Sequence, residues 1–253
     1  MIPKIIHQTW KTDIPPSKWI PFIEKVKKLN PEWEYILWTD ADNDEFVKTN
    51  FPDFYNVFNN FSRGVMRADV IRYLIMYKIG GVYLDLDYEV LKPFEFGDHK
   101  LILPLNRSLQ FGDKENTIGN CFFASTPNHK FWADVIYDLQ HNTPVVSNYS
   151  QIVQATGPRL LNRIHLKNNY KDIYLPERLL YHPPSPNNQK QINFDMLREQ
   201  TYHSLRAYLD LIEKTKRIKP LPSKPIKIKK KICYTRSSYD LINDPNDITL
   251  HIN

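Results

Sequence analysis

The chain has 253 residues, of which 42% are hydrophobic and 13% aromatic, and it carries a formal net charge of +6. That length suits one large domain with a modest extension, and the hydrophobic content excludes a globally disordered chain. The small positive charge suits an anionic ligand or surface and does not indicate nucleic-acid binding.

Strands and helices alternate along the chain, which favours an α/β architecture. Apolar and β-branched runs predict strands at residues 2–8, 33–38, 80–91, 101–105, 120–125 and 173–176. Helical periodicity, with caps at Ser17 and Ser62, predicts helices at 18–29, part of 46–61, 63–79, 128–142, 151–165 and 194–216. Residues 39–44 are expected to form a polar loop.

The composition changes at Lys216, where a basic, proline-bearing segment begins. We predict a domain at residues 1–215 and an extension at 216–253. In residues 226–232 isoleucine alternates with lysine, as in an edge strand with a solvated face that packs on the domain. A membrane-seeking tail is the alternative.

The N-terminus begins with strand-like sequence and leaves no room for a secretory signal. No apolar stretch approaches the ~18 residues of a membrane span. We therefore expect a cytoplasmic protein, with peripheral membrane contact through the basic extension as an open alternative.

Three acidic residues alternate through the predicted strand at 80–91. Asp85, Asp87 and Glu89 would share one face, with neighbouring carboxylates about 6–7 Å apart. Like charges at such a short separation in a buried strand are costly unless a cation neutralises them. Carboxylate oxygens select Mg²⁺ or Mn²⁺, so Asp-x-Asp suits a metal that bridges a diphosphate. The alternative is a pair of exposed loop carboxylates.

The helix at 63–79 carries charged residues among apolar ones. Asp69 and Arg72 are three residues apart and share a face, and Arg67 precedes them. One interpretation is a set of structural ion pairs. In the other they lie beside the strand end, where arginine binds phosphate or sugar oxygens and aspartate accepts ribose hydroxyls.

Other chemistries lack support in the sequence. Asp40, Asp42 and Asp44 are spaced as in a calcium-binding loop. The sixth position is Glu45 and the twelfth is Phe51, which excludes an EF-hand. The chain contains no dinucleotide fingerprint, no phosphate-binding glycine loop and no nucleophile elbow.

Five ordered blocks resemble glycosyltransferase family 32: IPKIIHQTWKT, WEYILWTD, RADVIRYLIMYKIGGVYLDLDYEVL, NCFFASTPNHKF and TGPRLL. That family includes α-1,6-mannosyltransferases and α-1,4-glycosyltransferases, and the glucosylating bacterial toxins are more distantly similar. The resemblance covers about residues 2–165. It implies a GT-A fold with a Rossmann-like nucleotide-binding sheet, a divalent cation (Mn²⁺ or Mg²⁺), and hexose transfer that retains configuration and forms an α linkage.

The resemblance also implies which residues bind the nucleotide-sugar donor. Trp10 would stack on the nucleotide base. Asp69 would hold ribose or sugar hydroxyls, and Arg72 would hold the donor sugar or phosphate. Tyr83 would contact the phosphates, with Arg67 in support.

For the metal, the resemblance implies that Asp87 ligates it directly and that Asp85 binds both ribose and metal. The C-terminal part departs from the family, because TYHSLRAYL contains His203 but lacks the tryptophan that commonly follows the His-rich block of relatives. His203 is either a third metal ligand or a structural residue. Weaker candidates, for the acceptor side, are Asn120, Gly157 and Pro158.

The sequence thus predicts a metal-dependent retaining hexosyltransferase that acts on a glycan, lipid or protein acceptor. UDP-hexose is slightly favoured over GDP-mannose, since the donor-helix spacing resembles that of the toxins. Two alternatives stay open: a catalytically lapsed nucleotide-sugar-binding protein, and a metal-dependent phosphohydrolase or nucleotidyltransferase with the same carboxylates. Nucleic acid is not expected as a partner.

Overall fold

The computed structural model describes residues 1–106, 117–176 and 235–237. Its strands are β1 (Ile5–Thr9), β2 (Glu34–Trp38), β3 (Gly81–Leu84), β4 (Tyr88–Val90), β5 (Leu101–Ile102), β6 (Leu105–Asn106), β7 (Thr117–Ile118), β8 (Phe122–Ser125), β9 (Ile173–Tyr174) and β10 (Thr235–Ser237). Its helices are α1 (Ile20–Leu29), α2 (Asp40–Asn50), α3 (Pro52–Asn59), α4 (Gly64–Lys78), α5 (Lys130–Asn142), α6 (Tyr149–Ala155) and α7 (Pro158–Lys167). The predicted helix at 194–216 lies outside the described residues.

A six-stranded sheet in the order β2-β1-β3-β8-β5-β9 forms the centre of the fold. β1 pairs in parallel with β2 and with β3, whereas β8 runs antiparallel to β3 and to β5. Because β1, β2 and β3 are parallel, their carboxyl ends meet at one edge of the sheet. That edge is where open α/β sheets bind their ligands.

The hydrophobic core covers both faces of this sheet. In β3, Val82 and Leu84 belong to one buried cluster and Tyr83 belongs to the other. Successive side chains of a strand point to opposite faces, so the two clusters lie on opposite sides. Residues of α1 join the first cluster, and residues of α4, α5 and α7 join the second. The predicted fold class, an α/β protein with a Rossmann-like sheet flanked by helices, is confirmed.

Helix α4 lies deep in the fold, and its residues 69–76 are all buried. A helix that is apolar on every side packs inside a protein rather than on its surface. The two charged residues Asp69 and Arg72 are therefore held within the core, where they need partners.

The predicted strand at 80–91 is two strands separated by a turn. β3 ends at Leu84, and the N–H of Tyr88 donates to the carbonyl oxygen of Asp85 over 3.0 Å before β4 begins. The continuous strand was a wrong prediction, because buried Leu86 keeps the alternating pattern through the turn. Glu89 lies beyond the turn and forms an ion pair with Lys25 at 2.6 Å.

Residues 39–44 lead into a helix and do not form the predicted loop. The Thr39 hydroxyl accepts a hydrogen bond from the N–H of Asp42 over 3.1 Å, and the Asp42 carboxylate accepts one from the N–H of Thr39 over 2.9 Å. This reciprocal capping box starts α2.

Other helix ends also differ from the prediction. A 3₁₀ turn at Ser17–Trp19 precedes α1, and Arg63 precedes α4; neither helix has a side-chain capping bond, so the predicted serine caps are wrong. The predicted helix at 151–165 is broken at Thr156 and Gly157 into α6 and α7.

Within the segment at 216–253, β10 pairs antiparallel with β4, and the other residues lie outside the described part of the chain. Across residues 1–106, 117–176 and 235–237, no helix combines the length and the apolar character needed to cross a bilayer.

Two glycines join α4 to β3, with φ of +73° at Gly80 and +93° at Gly81. A Cβ at Gly80 would lie 2.7 Å from the carbonyl oxygen of Ser125, and a Cβ at Gly81 would lie 2.5 Å from that of Ile5. Glycine is thus required at both positions for two reasons, the backbone conformation and the close approach of β1 and β8.

His7 is fully buried beside this junction. Its Nδ1 accepts a hydrogen bond from the indole N–H of Trp38 over 3.1 Å, so its Nε2 carries the proton and donates to the carbonyl oxygen of Gly80 over 2.9 Å. Burial lowers the pKa of His7 to about 4, although the bond to Gly80 acts in the opposite direction.

This buried histidine makes the stability of the fold depend on pH. The unfolded chain binds a proton at His7 near pH 6.5, whereas the folded chain resists it until about pH 4. Stability therefore falls as the pH drops through that window, and the wild type should lose about 2 kcal/mol more than His7→Gln between pH 7 and pH 5. Urea denaturation at both pH values measures the difference. The matched control is His141→Gln, at an exposed histidine. Equal losses of unfolding free energy in the wild type and in His7→Gln would contradict the assignment of the lowered pKa to His7.

Candidate active site

A cleft of about 670 Å³ opens at the carboxyl ends of the parallel strands. It is lined by residues that follow β1, β2 and β3, together with residues of α2, α3 and α4. Six of the residues predicted from the sequence line it: Trp10, Arg67, Arg72, Tyr83, Asp85 and Asp87. The fold thus brings together residues that lie as much as 77 positions apart in the chain.

The two aspartates are presented by the turn between β3 and β4. The N–H of Asp85 donates to the carbonyl oxygen of Cys121 over 2.9 Å, which extends the pairing of β3 with β8 by one bond. The carbonyl oxygen of Asp85 accepts from the amide of Gln8 over 3.2 Å and from Tyr88 across the turn. These bonds hold the backbone of Asp85 against β1, through the Gln8 side chain, and against β8.

Two side-chain hydrogen bonds hold the Asp85 carboxylate. Its Oδ1 accepts hydrogen bonds from the Tyr83 hydroxyl over 2.8 Å and from Arg72 Nη1 over 3.1 Å. Burial raises the pKa of Asp85 to about 6, against the lowering effect of the Arg72 guanidinium and with a further upward contribution from Asp87. A cation between the two carboxylates would relieve this cost.

Arg72 connects the aspartate turn to the core. Besides Asp85, its guanidinium donates to the carbonyl oxygen of Asn120 over 2.6 Å and to that of Ala68 over 3.0 Å. Its Nη2 lies 3.3 Å from Asp69, and its guanidinium carbon lies 5.0 Å from the centre of the Tyr83 ring. Although its side chain is only 8% exposed, Arg72 still lines the cleft, so one cation serves both the fold and the site.

Asp69 lies behind Arg72 and is not among the residues that line the cleft. Its carboxylate accepts hydrogen bonds from the Thr156 hydroxyl over 3.0 Å and from the Asn120 amide over 2.9 Å. Burial raises its pKa, although Arg72 and these hydrogen bonds lower it. Asn120, Gly157 and Pro158 likewise lie outside the cleft lining.

Several residues that line the cleft were not predicted from the sequence as site residues. The indole of Trp19 meets that of Trp10 edge to face, with ring centres 5.2 Å apart. Thr9 contributes a hydroxyl 3.2 Å from that of Tyr83. Three polar residues come from the first turns of α2: Asp40, Asn43 and Asp44. Their spacing of three and four residues was the available signal, which the prediction of a loop concealed.

The donor atoms of the turn fit a divalent cation. Asp85 and Asp87 offer the hard carboxylate oxygens that Mg²⁺ and Mn²⁺ prefer, and both border the open cleft. Among the described residues no group of three or more His, Cys, Asp or Glu side chains converges on one metal position. His203 lies outside the described residues.

Residues 16–109 match the family model described as "Glycosyltransferase sugar-binding region containing DXD motif". The match includes α4, β3 and the turn Asp85-Leu86-Asp87, which is the DXD sequence of this chain. The resemblance to DXD-containing glycosyltransferases that the sequence predicted is confirmed.

Two yeast proteins are similar to this chain. "Inositol phosphoceramide mannosyltransferase 3" of Schizosaccharomyces pombe is 37% identical over 170 residues, which are 64% of this chain and 44% of that protein. "Mannosyl phosphorylinositol ceramide synthase CSH1" of Saccharomyces cerevisiae is 36% identical over 165 residues, 64% of this chain and 42% of that protein. The aligned part thus spans less than half the length of these relatives.

Among solved structures, "PaToxG Glycosyltransferase" superposes with a TM-score of 0.47 and 16% sequence identity. The alignment covers 66% of this chain and 69% of that one.

The position of Arg72 predicts a large stability cost for its removal. Arg72→Met leaves Asp69 and Asp85 without their cation, and removing one partner of a buried ion pair costs about 3–5 kcal/mol. We expect the free energy of unfolding to fall by about 3 kcal/mol at pH 7, measured by urea denaturation. Arg67→Met is the matched control because Arg67 lies on the same helix but is exposed, and it should cost less than about 1 kcal/mol. Equal costs for both variants would show that Arg72 does not connect the turn to the core.

Proposed function

We propose that this protein is a metal-dependent retaining glycosyltransferase of GT-A type. It transfers a hexose, which we take to be mannose, from a nucleotide sugar to a glycolipid acceptor and forms an α linkage. The observation that carries the proposal is the DXD turn, whose carboxylates border a cleft at the carboxyl ends of three parallel strands. The names of the two yeast relatives support mannose as the sugar and an inositol phosphoceramide as the acceptor.

In this proposal Asp87 and Asp85 hold a divalent cation, Mn²⁺ or Mg²⁺. The cation supplies positive charge that stabilises the nucleoside diphosphate as it leaves. The protein's own contribution is a fixed position for both carboxylates, because the turn is bonded to β1 and β8. Preorganised charges of this kind need no rearrangement at the moment of reaction.

Arg72 and Tyr83 serve the phosphate side of the donor in this proposal. Both line the cleft beside Asp85, and a guanidinium suits phosphate oxygens because of its planar set of N–H donors. Arg67, exposed one and a half turns earlier on α4, is a supporting cation. Buried Asp69 is assigned to positioning, since it holds Arg72 and the Asn120 amide in place.

Trp10 serves the nucleoside side of the donor. Its ring packs edge to face on Trp19, so the two indoles brace each other at the rim of the cleft. A half-buried indole offers an apolar face on which a base can stack.

Retention follows if the acceptor hydroxyl attacks the anomeric carbon on the face of the departing phosphate, while an oxygen of that phosphate accepts the hydroxyl proton.

The proposal assigns catalysis to residues 1–215 and leaves 216–253 as a basic extension. Lysine-rich segments are attracted to anionic lipid surfaces. We include peripheral membrane contact of this extension in the proposal, since a glycolipid acceptor is presented at a membrane.

The direct test is turnover of nucleotide sugars by the purified protein. GDP-mannose, UDP-glucose, UDP-galactose and UDP-N-acetylglucosamine are offered with Mn²⁺ or with chelator, in the presence and absence of detergent-dispersed inositol phosphoceramide. We expect one donor to be consumed only with Mn²⁺ and faster with the lipid. Asp87→Asn should lower that rate by at least a hundredfold, since it removes a carboxylate from the metal position.

Glu89→Gln is the matched control for loss of an acidic residue. Glu89 is the third acid of the same run, but it pairs with Lys25 and does not line the cleft. Its neutralisation should leave turnover within about twofold of the wild type. The proposal fails if no donor is consumed under any condition, or if Asp87→Asn and Glu89→Gln lower turnover equally.

A further inference from the structure

Thr156 is fully buried and does not line the cleft, yet its side chain contacts the charged network behind the DXD turn. Its hydroxyl oxygen lies 3.0 Å from Oδ2 of Asp69 and 3.4 Å from the carbonyl oxygen of Ile152. A hydroxyl has a single proton, and the bond to the charged carboxylate is the shorter one, so the hydroxyl donates to Asp69. This bond joins the end of α6 to the middle of α4.

The break between α6 and α7 gives Thr156 a fixed place against α4. The nitrogen of Pro158 has no proton to donate, so proline cannot continue α6 and instead begins α7. Because α6 ends here, the carbonyl oxygen of Thr156 accepts the hydroxyl of Tyr73 over 2.7 Å. The N–H of Thr156 donates to the carbonyl oxygen of Ile152 over 2.9 Å. Both backbone groups of Thr156 are thus bonded, which fixes the position of its hydroxyl.

The Thr156 hydroxyl determines how the Asp69 carboxylate is oriented. Among the described residues it is the only hydrogen-bond donor to Oδ2, whereas Oδ1 accepts the Asn120 amide over 2.9 Å and lies 3.3 Å from Arg72 Nη2. Rotation of the carboxylate would break the bonds at both oxygens. Arg72 in turn donates from Nη1 to Asp85 over 3.1 Å. The bonds therefore run from Thr156 through Asp69 and Arg72 to the DXD turn.

Without the hydroxyl, Asp69 would be a buried charge with one oxygen lacking a donor. Burial raises the pKa of Asp69, and Arg72 together with the hydrogen bonds from Thr156 and Asn120 lowers it. A buried carboxylate that loses a donor turns towards its remaining donors or takes up a proton. Either change alters the pairing of Arg72 with Asp69 and, through Arg72, its bond to Asp85.

We propose that Thr156 is a positioning residue of the donor site, since its hydroxyl holds Asp69 in the orientation that directs Arg72 at the DXD turn. The inference rests on the proposed function and extends it to the junction of α6 and α7, outside the cleft. Thr156 acts on the reaction only through Asp69 and Arg72.

Two reciprocal substitutions separate the hydroxyl of Thr156 from its methyl group. Thr156→Val conserves the volume and removes the hydroxyl, whereas Thr156→Ser conserves the hydroxyl and removes the methyl group. The measurements are kcat/KM for the nucleotide sugar that the wild type consumes, with saturating Mn²⁺, and the affinity for pyrophosphate with Mn²⁺ by titration calorimetry. Both are made at a temperature at which circular dichroism shows each variant folded.

We expect Thr156→Val to lower kcat/KM about tenfold, the lower end of the range for partners that orient metal ligands, because Thr156 acts through two other residues. The affinity for pyrophosphate should fall in the same variant. Thr156→Ser should keep kcat/KM within about twofold of the wild type, since the hydrogen bond to Asp69 is retained. Rescue by serine separates a role of the hydroxyl from a role in packing.

Thr143→Val is the matched control for loss of a threonine hydroxyl. The Thr143 hydroxyl donates to the carbonyl oxygen of Leu139 over 2.5 Å at the end of α5, and Thr143 does not line the cleft. Its replacement should leave kcat/KM and the affinity for pyrophosphate unchanged. In an Asp69→Asn background the carboxylate is gone, so Thr156→Val should weaken pyrophosphate binding no further. This comparison can be made even if Thr156→Val alone does not fold.

The outcomes separate this inference from the proposed function. A larger loss in Thr156→Ser than in Thr156→Val overturns the role of the hydroxyl, as does a Thr156→Val variant that matches Thr143→Val. A further loss of pyrophosphate affinity in the Asp69→Asn background also overturns it, because the effect would not pass through the carboxylate. In each of these cases the proposed function stands. A wild type that neither consumes a nucleotide sugar nor binds pyrophosphate with Mn²⁺ refutes the proposed function and this inference together.

Discussion

The candidate site depends on the hydrogen bonds made by the buried guanidinium of Arg72. It bonds to Ala68 within its own helix, to the carbonyl oxygen of Asn120 beside β8, and to Asp85 at the end of β3. A charge in the core is tolerated only when it is paired and fully bonded, so these groups must hold fixed positions. The placement of the DXD turn against α4 is a consequence of that requirement.

The parallel strands supply the second constraint. Because β2, β1 and β3 are neighbours with the same direction, whatever follows them meets at one edge of the sheet. Residues 9–11 and 85–87, together with Asp40, Asn43 and Asp44, are brought into a single cleft in this way.

Much of the fold and part of the site could be predicted from the sequence. The strand and helix alternation follows from apolar periodicity, and one of the two interpretations of the charged residues of α4 placed Arg72 beside the end of β3. The turn at Asp85-Leu86-Asp87 could not be predicted that way, because buried Leu86 preserves the strand pattern. The start of α2 was missed because its polar residues suggested a loop, although Thr39 and Asp42 form a capping box. Asn43 was missed with it, because its burial beside the cleft is visible only in three dimensions.

The most direct test of the account is the position of the metal. Crystals grown with Mn²⁺ and a nucleoside diphosphate would be measured on both sides of the manganese absorption edge. The account predicts one anomalous peak between the carboxylates of Asp85 and Asp87, with the nucleotide lying across the ends of β3, β1 and β2. A manganese peak away from these two carboxylates, or a nucleotide bound outside the cleft, would contradict it.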